Sequence, residues 1–214
     1  MKSKYHIEMT RDALQGFFSE EALKTVLKAN VWQDRPRNQF GRDYIHFDGS
    51  AFEAGYAYIA QKKQAIINNI KSGRIKAARK AFGQITHTWQ DFYSHSNYVH
   101  LWLRHHPDAK PDEIEPADPN ILTSPELMSG ANYGLIEFIA MLPILSKWLY
   151  SRMPEDSHAR CNMDSPEAHS LFPYAIIAAT KRTILLWQEL QNEFQENHIP
   201  QSLIDQFLGK VNTN

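Results

Sequence analysis

The chain has 214 residues, a formal net charge of −1 with ten histidines counted as neutral, and one cysteine, Cys161. That length suits a single domain with a sizeable core, and no Pro/Gly/Ser-rich linker, charge block or repeat divides residues 1–214. The near-neutral balance argues against double-stranded nucleic acid held by bulk charge, and a lone cysteine excludes both an intramolecular disulfide and a cysteine-based zinc site.

Helical patterning dominates and strand signals are nearly absent, so an all-α, single-domain multi-helix bundle is expected. Lys2 and Lys4 lead into Glu8, Arg11 and Asp12 rather than an apolar run, which is no secretory signal, and a cytoplasmic location is expected. Thr10 reads as the N-cap of a helix carrying Ala13, Leu14, Phe17 and Phe18, and a second helix runs from Ser19 to Ala29. A loop with Asp34, Pro36 and Gly41 follows and holds Asp43-Tyr-Ile-His-Phe-Asp-Gly49. Phe52, Tyr56, Ile59, Ile66, Ile67 and Ile70 set a helix from Ser50 to about Ile70, ended by Ser72-Gly73. The next helix spans about Arg74 to Leu103, and the Pro-rich stretch 104–123 reads as a long surface loop. Ser124-Pro125-Glu126 has the cap-then-Pro pattern of a helix start, continuing to about Arg152 with a kink at Pro143. Its apolar part, Gly134 to Tyr150, is interrupted by Glu137, Pro143 and Lys147 and falls short of the ~18 apolar residues of a membrane span, so it reads as a core helix. Ser165-Pro166-Glu167 repeats the start signal and opens a helix to about Asn197; a short helix, Gln201 to Leu208, closes the pattern.

The richest stretch is His87-Thr-Trp-Gln-Asp91-Phe-Tyr-Ser-His95-Ser-Asn97. A helix advances about 100° per residue, so His87, Asp91 and His95 form one stripe, each about 6 Å beyond the last. A carboxylate between two imidazoles is placed to bridge two cations about 3.5–4 Å apart, the spacing used to hydrolyse phosphate esters. A lone His-x-x-x-Asp pair is more often a surface hydrogen bond. Here a third member repeats the spacing, and Trp89, Phe92, Tyr93 and Tyr98 crowd the same turns, so the stripe is expected to be buried and its charges paired or metal-bound. His6 before the first helix, Asp34 and His46 in the first loop, and Asp164 with His169 near the second Pro-capped start are further candidate ligands, each with an ordinary alternative as a turn, cap or loop residue. His105 and His106 read as solvated.

The order His6, Asp34, His46, His87-Asp91-His95, then a late His with an acid, resembles the zinc-dependent phospholipase C superfamily, which also holds the fungal single-strand nucleases and the Het-C-like proteins. Gly83-Gln-Ile-Thr-His-Thr-Trp-Gln-Asp-Phe-Tyr-Ser-His-Ser-Asn97 is similar to the Het-C-type signature; Tyr44-Ile-His-Phe-Asp48 and Cys161-Asn-Met-Asp-Ser-Pro166 are similar to flanking blocks. The resemblance implies that family's helical fold and two or three zinc ions. Asp34, His46, His87 and Asp91 would hold one, and Asp91 would bridge to a second held by His6 and the Met1 amine. His95 would anchor a third with Asp164 and His169, for which His158 and Glu167 compete. It implies a phosphodiester hydrolase in which Asp91 and Asp34 are the catalytic carboxylates, Asp34 orienting the attacking water. Arg35, Arg37 and Arg42 are candidate phosphate partners. The expected substrate is a phosphate ester such as a phospholipid headgroup, with single-stranded nucleic acid as the alternative; peripheral membrane contact stays open. A second reading is a Het-C-like, metal-stabilised recognition domain without turnover.

Overall fold

In the computed structural model, which describes residues 1–39, 41–131 and 162–210, the organising element is a helix that is buried nearly all round. That helix is α6 (Ile75–His95), and every residue from Ile85 to His95 is buried. Apolar and polar residues alternate around its axis: Ile85, Trp89 and Phe92 serve the core, while His87, Asp91 and His95 form a separate polar stripe. Around it stand α1 (Ser3–Leu14), α2 (Glu20–Val31), α5 (Phe52–Lys71) and α9 (Phe172–Glu196). Smaller helices fill the rest: α3 (Pro36–Gln39), α4 (Asp43–His46), α7 (Tyr98–His105), α8 (Pro119–Leu122) and α10 (Gln201–Leu208). The described residues contain no strand, only an isolated bridge between Ser96 and Ser129, so the expected all-α class holds. No helix among them is long and apolar enough to cross a membrane.

The buried apolar side chains form one cluster. Phe18, Phe82, Trp187, Phe194 and Phe207 interlock where α2, α6, α9 and α10 meet. A second aromatic group, Phe47, Phe52, Tyr56, Trp89 and Phe92, fills the space between α5 and α6. α2 and α6 approach closely because residue 83 is glycine: a Cβ there would press into the Val26 carbonyl and lie 2.9 Å from the Ala29 Cβ. This approach brings Asn30, at the end of α2, against His87 and Gln90.

Several boundaries differ from the sequence expectation, each for a tertiary reason. The first helix starts at Ser3, and Thr10 lies buried within it, its hydroxyl accepting from Asn30 and Gln90 instead of capping. The expected helix 74–103 is two, since Ser96 is extended. There the Asn97 backbone N–H donates to the Met128 carbonyl, the Asn97 side chain accepts from Met128, and Gly130 donates to the carbonyl of His95. Stretch 104–123 is stitched down rather than free. The Tyr98 and Tyr174 hydroxyls donate to the Glu115 and Ala109 carbonyls, Tyr93 donates to that of Pro116, and Ile114 and Ile121 are buried. Ser124-Pro125-Glu126 forms turns, and so does 165–171; the last long helix starts only at Phe172, with Pro173 in its first turn. The expected helix beyond residue 131, with Pro143, and the residues His158 and Cys161 lie outside the described residues.

Gly83→Ala is expected to lower stability by about 1–3 kcal/mol, because the clash is with backbone that cannot swing away. Urea unfolding followed by far-UV circular dichroism measures it; an unchanged midpoint would show that the two helices can separate without cost.

Candidate metal centre

Five separate parts of the chain converge on Asp91, which is wholly buried. On one side, its Oδ1 lies 2.9 Å from the Met1 amino nitrogen and 3.2 Å from His6 Nε2. On the other, its Oδ2 lies 2.8 Å from His46 Nδ1 and 2.9 Å from His87 Nε2. Asp34 Oδ1 stands 3.6 Å from that His87 nitrogen, and Ser3 donates to the other Asp34 oxygen at 2.7 Å. His95 Nε2 faces the Met1 amine at 3.3 Å, Asp164 Oδ1 at 3.5 Å and Asp91 Oδ1 at 3.8 Å. Asp164 Oδ1 is itself 3.0 Å from the amine and accepts from Ser94 at 2.9 Å. The sequence-expected residues Met1, His6, Asp34, His46, His87, Asp91, His95 and Asp164 are thus brought together.

The local folding explains the convergence. The stripe of α6 supplies His87, Asp91 and His95. His46 ends α4, where the chain turns through Phe47 in the left-handed region, at φ 57°. A bulky residue there costs about 1–3 kcal/mol and needs a strong reason. The turn drops the Phe47 ring into the aromatic group beside Gly55, and it points His46 and Asp48 toward α6. The segment at Asp164 is held by the Met163 backbone N–H donating to the Ser94 carbonyl and by that of Lys2 donating to the Asp164 carbonyl.

The rings are oriented by a second layer that spacing in the sequence did not single out. His6 Nδ1 meets Gln90 Oε1 at 2.7 Å, and His87 Nδ1 meets Asn30 Oδ1 at 3.3 Å. The amide orientations follow from Asn30 Nδ2 donating to Thr10, Thr86 and Gln90, and Gln90 Nε2 donating to Thr10 and Thr183. Each amide oxygen therefore accepts the ring's Nδ1–H, which leaves Nε2 of His6 and His87 as a bare lone pair aimed at the Asp91 carboxylate. His95 Nδ1 is fixed in the same way by Asp48 Oδ1 at 3.0 Å and the His46 carbonyl at 3.1 Å. Asp48 sits two residues after His46, a signal that could have found it. Asn30 and Gln90 carry none, being ordinary amides until the fold brings them in.

A lone pair facing a carboxylate is repulsive unless something positive lies between them. Burial pulls the His87 pKa down to about 4, against the upward pull of Asp91, so at neutral pH this ring is uncharged and does not supply that positive charge. His6 Nε2 and His46 Nε2 are buried with no hydrogen-bond partner among the described residues. Contacts around Asp91 Oδ2 of 2.8–3.6 Å match the edges of ligands about 2.0–2.1 Å from a shared tetrahedral cation, about 3.3 Å. One ligand atom each from His6, Asp34, His87 and Asp91 lies within 4.8 Å of the others, and the His6 and His87 rings stack at 4.3 Å. This buried group is suited to hold a metal ion. Burial acts against the Asp91 charge, yet the charged Met1 amine and His95 outweigh it and hold the carboxyl well below its usual range.

Other expected residues stand elsewhere. His169 accepts the Leu171 N–H and lies edge-on to His100, and no contact among the described residues joins it to His95 or Asp164. The cause is the turn at 165–171, which keeps Asp164 and His169 off a shared helical face. Glu167 is exposed and meets Lys2. Arg35 and Arg37 lie over the Trp32 ring and Arg42 donates to Asn38, away from the cluster's contacts.

Residues 8–111 are similar to a family described as the VWA7 N-terminal domain. The matched stretch includes Asp34, His46, His87, Asp91 and His95 and stops short of Met1, His6 and Asp164. No curated protein and no solved structure matches the chain.

Without a cation, burial opposes the charge on the Met1 amine and on His95, but the surrounding carboxylates push their pKa values up to about 11 and about 10. Both groups then carry protons at pH 7, and a cation has to displace them. Divalent cation binding is expected to release protons and to tighten by up to about tenfold per pH unit per proton below those values. Calorimetry in buffers of different ionisation enthalpy reads the release. A buffer-independent heat would remove the amine and His95 from the ligand set.

Proposed function

We propose that the chain is a metal-dependent phosphodiester hydrolase of the zinc-dependent phospholipase C kind, with two or three zinc ions gathered around Asp91. The observation that carries this reading is the division of labour on that carboxylate. One oxygen faces Met1 and His6 while the other faces His46 and His87. Neutral nitrogen and carboxylate oxygen donors suit zinc. A divalent cation held here would supply Lewis acidity, lowering the pKa of a water toward about 7 and neutralising charge on a phosphoryl oxygen.

The residues supply the rest. Asn30 and Gln90 fix which nitrogen of His87 and His6 is the donor, and Asp48 does so for His95. The buried side of the cluster keeps out bulk water, and the side chains of Asp34 and Asp164, each 24% exposed, mark the side open to solvent. Asp34, half in contact with His87 and half with Ser3, orients the attacking water at that mouth. A phosphate ester enters from the same side, the headgroup of a phospholipid or a phosphodiester in a single strand. The zero exposure of His6, His87 and Asp91 favours a second reading, a metal-stabilised recognition domain like the Het-C group, in which the ions hold the fold and no substrate turns over.

Metal analysis of untagged protein, paired with hydrolysis of bis(p-nitrophenyl) phosphate before and after chelation, separates the two. Two or three zinc per chain with chelator-sensitive turnover restored by zinc is expected; bound zinc with no turnover selects the recognition domain. Asp91→Asn is expected to lose metal and to lower turnover by about a hundredfold or more, whereas the exposed His105→Ala leaves both unchanged. One extra residue ahead of Met1 is expected to weaken the second zinc by about 10–100-fold, since it moves the amine away from Asp91.

A further inference from the structure

Two clefts, of about 890 Å³ and about 750 Å³, meet at Trp32, Arg37 and Gln84 beside α2 and α6. Lys24 and Lys28 on α2, and Lys76 and Lys80 on α6, wall one of them. The other carries Arg42 and Lys62 in addition to the shared Arg37. Against these seven cations the two linings hold one carboxylate, that of Glu21. Among the described residues none of the seven forms an ion pair; the cations that do, Lys2, Arg11, Lys63, Arg104 and Arg182, line neither cleft. Like charges four apart on a helix destabilise it, and Lys24–Lys28 and Lys76–Lys80 are two such pairs. Burial also pulls down the pKa of the Lys62 ammonium, which is held without a counter-charge.

The arginines are fixed in place. The Arg35 guanidinium lies 3.2 Å over the Trp32 ring, Arg37 lies 4.8 Å from its centre, and Arg42 Nη1 donates to Asn38 Oδ1 at 3.1 Å. Stacked or tethered guanidinium planes lose little freedom on meeting a phosphate and match its oxygens two at a time. We propose that the twin cleft binds a soluble compound carrying two or more phosphate groups. Both clefts are concave and of small-molecule size. Trp32 is the exposed large apolar residue there, and Arg35 covers it, so no apolar wedge is offered to a bilayer and no bare ring to a nucleobase. Gln33 and Ile45 line the larger cleft and precede Asp34 and His46 in the chain, so the site adjoins the metal centre without sharing its ligands.

Titration calorimetry of the untagged full chain with sodium tripolyphosphate tests the assignment. Saturable binding that weakens with salt is expected. It should fall by about tenfold or more in Arg37→Gln and in the Lys28→Gln, Lys80→Gln double variant, and stay unchanged in Arg104→Gln. Those positions lie on the surface of the clefts, and circular dichroism confirms that each variant folds. An equal loss in Arg104→Gln would reduce the effect to general charge. Binding abolished by chelation but retained by Arg37→Gln would place the phosphates at the metal centre instead. Tighter, Arg37-dependent binding to phosphatidylserine vesicles, or to a single-stranded oligonucleotide, would replace the small soluble ligand with a membrane or a nucleic acid; all three results overturn the proposal.

Discussion

A carboxylate at zero exposure, surrounded by four imidazoles and a terminal amine, is the constraint that the rest of the molecule serves. Removing an unpaired carboxylate from water costs several kcal/mol even after relaxation, more than one hydrogen bond returns. Asp91 is tolerable only because opposite charge or a cation meets both of its oxygens. Its partners come from the start of the chain, the α4 turn and α6 itself. Assembling the centre and closing the bundle are therefore one event, and a cation bound there would contribute its binding energy to the fold.

The second layer makes the centre specific. Asn30 and Gln90 are buried amides linked to Thr10, Thr86 and Thr183, and their oxygens accept from His87 and His6. A hydrocarbon in place of either amide would let its imidazole turn or change tautomer, and the lone pair would leave the carboxylate. The close α2–α6 approach at Gly83 exists in the same register, four residues before His87 and seven before Gln90. Packing and chemistry thus share one helix face: the glycine sets the distance across which Asn30 reaches.

The ladder His87, Asp91, His95 was legible because its geometry is local; any helix carrying that spacing lines the three residues up. The short helix Gln201–Leu208 and the break at Ser72-Gly73 were legible for the same reason. Asn30 and Gln90 were not, because their role depends on which amide the fold carries to a ring fifty or more residues away. The helix break at Ser96 is likewise decided by distant residues, Met128 to Gly130, which take up the backbone groups of His95 and Asn97. Ser165-Pro166-Glu167 has good local capping chemistry, yet the chain there turns toward Ser94 and the amine, and tertiary bonding overrides the start signal. His169 turns with that segment, its ring edge-on to His100.

Net charge hid the other main feature, because it is a sum over a surface that is not uniform. Acids are drawn into the cluster at Asp34, Asp48, Asp91 and Asp164, where amine and imidazole meet them. Others are paired on the outside, as Glu189 and Glu193 are with Lys63. What remains around Trp32 is a set of seven cations facing one acid, inside a chain whose total is −1. Charge screening over about 8–10 Å at physiological salt means that a ligand in those clefts senses the local set and not the total. The same reasoning limits the exclusion drawn from bulk charge: it removes long-range attraction to a duplex but leaves a short, dense array of phosphates well matched by the fixed guanidinium groups of Arg37 and Arg42.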